Sequence, residues 1–66
     1  MNFSSEFEYL KTKYAERIAE LTAFLAQGSV EEIAEYKRIC GVIQGLNTAS
    51  ELISDLAKRL ETDADE

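Results

Sequence analysis

Histidine is absent from this chain and cysteine occurs once, as Cys40, so two common ways of reinforcing a very small domain are missing. A disulfide within one chain needs two thiols, and structural metal sites are built mainly from cysteine and histidine. At 66 residues the chain forms at most one domain. A domain of that size buries only about 60% of its unfolded surface. We therefore expect self-association to complete the core.

Long apolar runs are also missing. No stretch approaches the roughly 20 apolar residues that span a bilayer. The first residues lack the basic start and apolar run of a secretion signal. We therefore expect a cytoplasmic protein without a membrane partner. Cys40, between Ile39 and Gly41, is predicted to be a small buried apolar residue, the alternatives being an intermolecular disulfide or a reactive thiol.

The chain has no sustained basic face, and its formal net charge is -6. Four of the acids, Glu61, Asp63, Asp65 and Glu66, lie at the end of the chain, which leaves the rest nearly neutral. We predict that residues 61–66 form a solvated, frayed acidic tail, the alternative being mimicry of nucleic acid. The lack of a basic face argues against binding of duplex nucleic acid.

Catalysis is not expected, because a nucleophile and a base cannot be paired without histidine when the only thiol is predicted to be buried. Carboxylates do recur at i and i+4, where a divalent metal could bridge two helices. The di-iron bundle pattern, however, requires Glu-x-x-His, which is missing. We therefore predict a protein that is not an enzyme, with no cofactor and no metal.

The first helix is predicted over about residues 5–27. Ser5 and Glu8 have the spacing of a capping box, and Gly28 suits the left-handed position after a helix end. Apolar residues recur at helical steps of three and four between these signals. The predicted stripe comprises Phe7, Leu10, Tyr14, Ile18, Leu21 and Leu25.

The second helix is predicted over about residues 30–60, after a turn at residues 28–29, because Ser29 and Glu32 repeat the capping-box spacing. We predict a helix that is continuous through Gly45 and Thr48, since Ile39, Leu46, Ile53 and Leu60 keep one phase across them. So short a turn makes the two helices antiparallel neighbours. The expected fold is therefore all-α, an antiparallel two-helix hairpin.

The apolar surface of the second helix is too wide for one partner helix, which predicts a helical bundle formed by a dimer or a higher oligomer. Gly41, Gly45 and Ala49 share one face and form a ridge that a second backbone could approach closely. The predicted packing and oligomer interface comprises Gly41, Gly45, Leu46, Ala49, Ile53, Leu56 and Leu60.

A cationic and aromatic group forms the candidate ligand site. Folding about the turn brings its members to one level, with Arg17 inside the apolar seam. Copies related by symmetry could then build an aromatic pocket with several positive donors for a phosphate or nucleotide. The alternative is that Arg38 pairs with Glu35, and Arg17 with Glu20 or Glu16, without any ligand. The candidate residues are Tyr14, Arg17, Tyr36, Lys37 and Arg38.

The run Tyr36-Lys37-Arg38-Ile39-Cys40-Gly41-Val42-Ile43-Gln44-Gly45-Leu46 resembles a family of short uncharacterised proteins of tailed bacteriophages, over roughly the second half of the chain. The resemblance implies a viral protein in the bacterial cytoplasm. Such proteins include virion-assembly accessories and inhibitors of host defence. We therefore expect a non-enzymatic oligomer that binds a protein partner, the alternative being a sponge that sequesters a nucleotide signal in a pocket between subunits.

Overall fold

The computed structural model describes residues 3–28 and 30–65, with side chains described through Thr62. It is all-helical, with α1 at Ser4–Ala26 and α2 at Ile33–Asp65. The two helices pack against each other as a helical hairpin, which confirms the predicted fold of the single chain. The hairpin measures 53 × 17 × 12 Å. Its long dimension is close to the roughly 50 Å that the 33 residues of α2 span.

The start of α1 differs from the predicted capping box. Phe3 occupies the N-cap position without a side-chain cap hydrogen bond, and Ser5 lies inside the helix. The N–H of Phe7 donates to the carbonyl oxygen of Phe3 at 3.0 Å, and the two ring centroids lie 6.1 Å apart. An apolar contact across the first turn therefore stands where the sequence pattern suggested a polar cap.

The end of α1 follows the prediction closely. Gly28 has a φ of 70°, the left-handed conformation expected after a helix end. Its N–H donates to the carbonyl oxygen of Leu25 at 3.1 Å, and the N–H of Gln27 donates to that of Ala23 at 3.0 Å. These bonds satisfy two of the carbonyl groups that a helix end leaves unpaired.

The second helix begins later than predicted. Residues 30–32 are not helical, and α2 starts at Ile33. The N–H of Tyr36 donates to the carbonyl oxygen of Glu32 at 3.0 Å, so Glu32 takes the position before the helix. Ser29, the predicted cap, lies outside the described residues. The turn is therefore longer than residues 28–29, because the chain must cross the roughly 8–10 Å between two packed helix axes.

One stripe on each helix forms the contact between them, which we call the seam. Its residues follow steps of four and three, the spacing of a coiled coil. Ile39, with 2% of its surface exposed, is the one buried residue in the described part of the chain. The other seam positions are half-buried. The seam comprises Phe7, Lys11, Tyr14, Ile18, Leu21 and Leu25 on α1, and Ile39, Ile43, Leu46, Ser50, Ile53 and Ala57 on α2.

The predicted stripe on α1 is confirmed except at one position. Leu10 is 39% exposed, and Lys11 lies in the seam instead. The steps from Phe7 to Tyr14 are then four and three, which keep the phase of the rest of the stripe. Leu10 therefore lies beside the seam, on a different surface.

The second helix is continuous through Gly45 and Thr48, as its apolar phase predicted. It also continues to Asp65, beyond the predicted end at about residue 60. No glycine or proline follows Gly45, and each residue added to an existing helix gains a hydrogen bond without a new nucleation cost. With 33 residues against 23, α2 exceeds α1 by about 15 Å.

Neither helix carries an apolar stretch that could cross a membrane, over residues 3–28 and 30–65.

Candidate protein-interaction surface

The structure separates Arg17 from the seam in which the sequence placed it. The seam residues are Tyr14 and Ile18, whereas Arg17 is exposed. Its guanidinium donates to a carboxylate oxygen of Glu20 at 3.1 Å. The prediction that the Arg17 stem lies inside the seam is therefore wrong, because the four-three spacing passes from Tyr14 directly to Ile18.

Arg38 forms an ion pair with Glu35 through two hydrogen bonds. Its Nε donates to Oε2 of Glu35 at 3.1 Å, and its Nη2 donates to Oε1. This pairing lowers the pKa of Glu35 and raises the pKa of Arg38 from their ordinary values. Both groups are exposed, where such pairs contribute little to stability. Both arginines thus form the local ion pairs that the alternative predicted, and their binding of a ligand stays a prediction.

The remaining candidate ligand residues differ in their exposure. Tyr14 is half-buried in the seam, Tyr36 is 52% exposed, and Lys37 is exposed without an ion pair in the described part of the molecule. A shallow depression of about 340 Å³ lies beside the turn, but it contains none of these residues. It is lined by Phe24, Val30, Glu31, Glu32 and Glu35. Its three carboxylates would repel a phosphate.

The glycines of the predicted ridge lie outside the contact between the helices. Gly41 and Gly45 are exposed, and a Cβ built on either would meet nothing within 4 Å. Ala49 is half-buried. The hairpin itself therefore does not use the close approach that the ridge permits, and its role between copies stays a prediction. Of the other predicted interface residues, Leu46 and Ile53 lie in the seam, whereas Leu56 and Leu60 are exposed.

A second stripe accompanies the seam along α2. Its members precede seam residues by one position and therefore keep the same repeat of three and four. Leu52 is 63% exposed, and Val42 and Leu56 are also exposed. Leu60 extends the stripe along the part of α2 that exceeds α1 in length. The α2 stripe comprises Arg38, Val42, Gly45, Ala49, Leu52, Leu56 and Leu60.

The equivalent stripe on α1 mixes apolar and charged residues. Leu10 precedes Lys11 of the seam, and Phe24 precedes Leu25. Both are exposed, as is Phe3, which lies seven residues before Leu10. The α1 stripe comprises Phe3, Glu6, Leu10, Lys13, Arg17, Glu20 and Phe24.

Both stripes lie on the same side of the hairpin. Two antiparallel helices are related by a twofold axis perpendicular to the plane that contains their axes. This axis exchanges the helices without exchanging the two sides of the plane. Positions that precede the seam by one residue, about 100° around each helix, therefore share one side. We call this side the open face.

The predicted oligomer interface already contained Gly45, Ala49, Leu56 and Leu60 of the open face. It left out Leu52 and Phe24, and Leu10 was counted as part of the contact between the helices. The available signal was the second four-three repeat, displaced by one residue from the first. Two adjacent repeats on one helix indicate two packing partners.

A smaller apolar patch lies near the turn, on the opposite side of the hairpin. Ile33 is 73% exposed, and Tyr36 is exposed beside it. Tyr36 lies three positions before Ile39, which places it on the other side of the seam from Arg38. We call Ile33 and Tyr36 the turn patch. Cys40, which is half-buried, lies one turn after Tyr36 on that side.

The fold and these surfaces define a small all-helical hairpin with apolar side chains exposed on two sides. The described residues include no group of three or more side chains that could hold a metal ion. Comparison of the chain with protein-family models, curated proteins and solved structures finds no match.

Proposed function

We propose that this chain is a non-enzymatic, self-associating helical protein that acts by binding another protein. The observation that supports this function is the ratio of exposed to buried apolar side chains. Among the described residues, ten large apolar side chains are exposed, and Ile39 alone is buried. Large exposed apolar patches mark protein-interaction surfaces.

The two apolar surfaces support two separate contacts. The open face spans both helices and is the larger, so it suits self-association into a bundle. The turn patch lies on the opposite side and stays accessible in such an oligomer. The partner bound there is proposed to be a phage or host protein in the bacterial cytoplasm, which fits an assembly accessory or an inhibitor of a host protein. This setting is the one that the resemblance of residues 36–46 to phage proteins implies.

Site-specific photo-cross-linking in bacterial cells tests the partner contact. A benzophenone amino acid at Tyr36 is expected to give discrete adducts with another protein, because Tyr36 lies in the turn patch. The same amino acid at Thr12, which is exposed on α1 away from the patch, serves as the matched control. Ile33→Glu should abolish the Tyr36 adducts by placing a charge in the patch. Adducts that form equally from both positions, or from neither, would contradict the proposed contact.

A second candidate function is sequestration of a nucleotide between subunits. The supporting observation is that Arg17 and Arg38 both precede seam residues and so lie on the open face. Association through that face could bring several arginines together. Their pairing with Glu20 and Glu35 weakens the case, because a ligand would have to replace these glutamates.

Calorimetric titration distinguishes this candidate from protein binding. The panel contains cyclic di- and oligonucleotides and adenosine-diphosphate-ribose derivatives. If the chain acts by binding a protein, we expect every nucleotide in the panel to have a dissociation constant above about 100 μM. Tighter binding that is lost in Arg38→Ala or Arg17→Ala, with helicity unchanged, would favour the sponge, since a charged hydrogen bond contributes about 1.5–3 kcal/mol. Tyr36→Phe is the milder control because it keeps the ring.

A further inference from the structure

We propose that the open face is covered by a second copy of this chain, with the two turns at the same end and α2 of each copy packed against α1 of the other. This inference rests on the self-association in the proposed function and deepens it by specifying that two copies associate and how they are arranged. The resulting dimer is a four-helix bundle.

The exposed area of one chain is close to what such a dimer would cover. The chain exposes 5300 Å², whereas a compact monomer of 7.4 kDa exposes about 4,200 Å². The excess is roughly 1,100 Å². A standard interface buries about 800 Å² on each partner. The surplus surface of the hairpin is therefore sufficient for one stable interface.

The shape of the open face selects a two-helix occupant. Val42, Gly45, Ala49, Leu52 and Leu56 repeat at steps of three, four, three and four, the same spacing that packs α1 on α2. Apolar residues of α1 lie beside this repeat on the same face. A single helix would cover one of the two stripes, whereas a hairpin with matching stripes covers both. The second copy provides matching stripes.

The distribution of polarity along the face sets the direction of the second copy. The end far from the turn presents five apolar residues and one acid, namely Phe3, Leu10, Leu52, Leu56, Leu60 and Glu6. The end near the turn presents one aromatic residue and three charged ones, namely Phe24, Arg17, Glu20 and Arg38. Placing both turns at one end packs the apolar halves together. The opposite direction, with full overlap, would place Leu60 beside the arginine of the partner's turn end.

Charges near the turn are complementary in the proposed direction. Counting outward from the centre of the turn, Arg38 of α2 lies at the level of Glu20 and Leu21 of α1. Packing α2 on the partner's α1 at that level brings Arg38 close to Glu20 of the partner subunit. The α2 helices then occupy diagonal corners about 11–14 Å apart, judged from interaxial distances of 8–10 Å. Their acidic ends are therefore separated by more than the screening length of about 8 Å.

Light scattering tests whether a second copy of the chain covers the open face. The wild-type chain should have twice the 7.4 kDa mass of one copy at micromolar concentration. Leu52→Glu should raise the dissociation constant by more than about 100-fold, since it buries a charge in both copies. Ile33→Glu is the matched control and should stay dimeric, because Ile33 lies off the open face. Circular dichroism checks that each variant remains helical, and Leu56→Glu is a second variant in case Leu52→Glu unfolds. A helical wild-type chain with the mass of one copy would overturn the proposal.

Disulfide trapping tests the direction. In a Cys40→Ala background, Leu10→Cys and Ala49→Cys are prepared separately, then oxidised alone and as a mixture. The proposed dimer brings Leu10 of one copy to Ala49 of the other, so the mixture should form a covalent heterodimer within the 4.4–6.8 Å Cα range of disulfides. Ala49→Cys alone should form none. A disulfide between two copies that both carry Ala49→Cys, without the heterodimer, would show that the two turns lie at opposite ends and would overturn the arrangement.

Failure of the dimer proposal can be distinguished from failure of the proposed binding of a partner protein. Monomeric wild-type chain with Tyr36 adducts to another protein would remove the dimer and leave partner binding in place. A dimer that gives no Tyr36 adducts would support the dimer proposal and contradict binding of a partner protein at the turn patch.

Discussion

Replacing Ile39 with alanine is expected to lower the free energy of unfolding by about 2–5 kcal/mol, the cost of deleting a large buried aliphatic side chain. Ile39 is the one buried residue in the described part of the chain and sits in the seam of α2. A 66-residue domain has a stability of roughly 3–10 kcal/mol. The loss is therefore a large fraction of the total, and the variant should be partly unfolded at room temperature.

Ile33→Ala provides the matched control, because it makes the same chemical change at a position that is 73% exposed. Its effect should stay within about 0.5 kcal/mol. Urea unfolding followed by circular dichroism measures both variants, at one protein concentration because self-association shifts apparent stability. Equal effects of the two substitutions would show that Ile39 does not anchor the seam.

The packing of α1 was predictable because its signals are local. The apolar residues from Tyr14 to Leu25 keep one helical phase, and Gly28 is the one residue near the end suited to a positive φ. Leu10 was misplaced because a step of three from Phe7 and a step of four both fit a helix. The position of α2 decides that Lys11 rather than Leu10 lies in the seam, and the spacing within α1 does not specify that position.

The ends of α2 were less predictable. Ser29 and Glu32 form a good local capping pattern, yet the distance between the helix axes decides how many residues the turn needs. The acidic residues after Leu60 suggested a frayed tail, since a run of like charges at the end of a chain is usually solvated and poorly ordered. The absence of a helix-breaking residue outweighed that effect, because extending a helix costs little once it has formed.

Only part of the candidate ligand site was predictable from the sequence. The pairing of Arg38 with Glu35 and of Arg17 with Glu20 follows from spacing within one helix, and the sequence contained it as an alternative. Whether arginines gather around a pocket depends on how copies assemble. The open face was partly predictable. Its two stripes are visible in the sequence, but their placement on one side follows from the antiparallel hairpin.

The glycines of the chain give the second large prediction, since the same substitution should have opposite effects at two of them. Gly41→Ala should raise the free energy of unfolding by about 0.5–1 kcal/mol, because alanine restricts the unfolded chain and favours the helix. A Cβ at Gly41 meets nothing within 4 Å, so no clash offsets this gain. Gly41 also lies two positions before Ile43 of the seam, which places it away from the contact with α1.

Gly28→Ala should instead lower the free energy of unfolding by about 1–2 kcal/mol, although a Cβ at Gly28 also meets nothing within 4 Å. The difference lies in the backbone, because the φ of 70° at Gly28 is a conformation that alanine rarely adopts. Thermal melting at fixed protein concentration compares the two variants. At about 4–8 °C for each kcal/mol in a domain of this size, their midpoints should fall on opposite sides of the wild-type value. A destabilised Gly41→Ala variant would instead indicate that another backbone approaches α2 at that position, which is the close packing first inferred from the ridge of small residues.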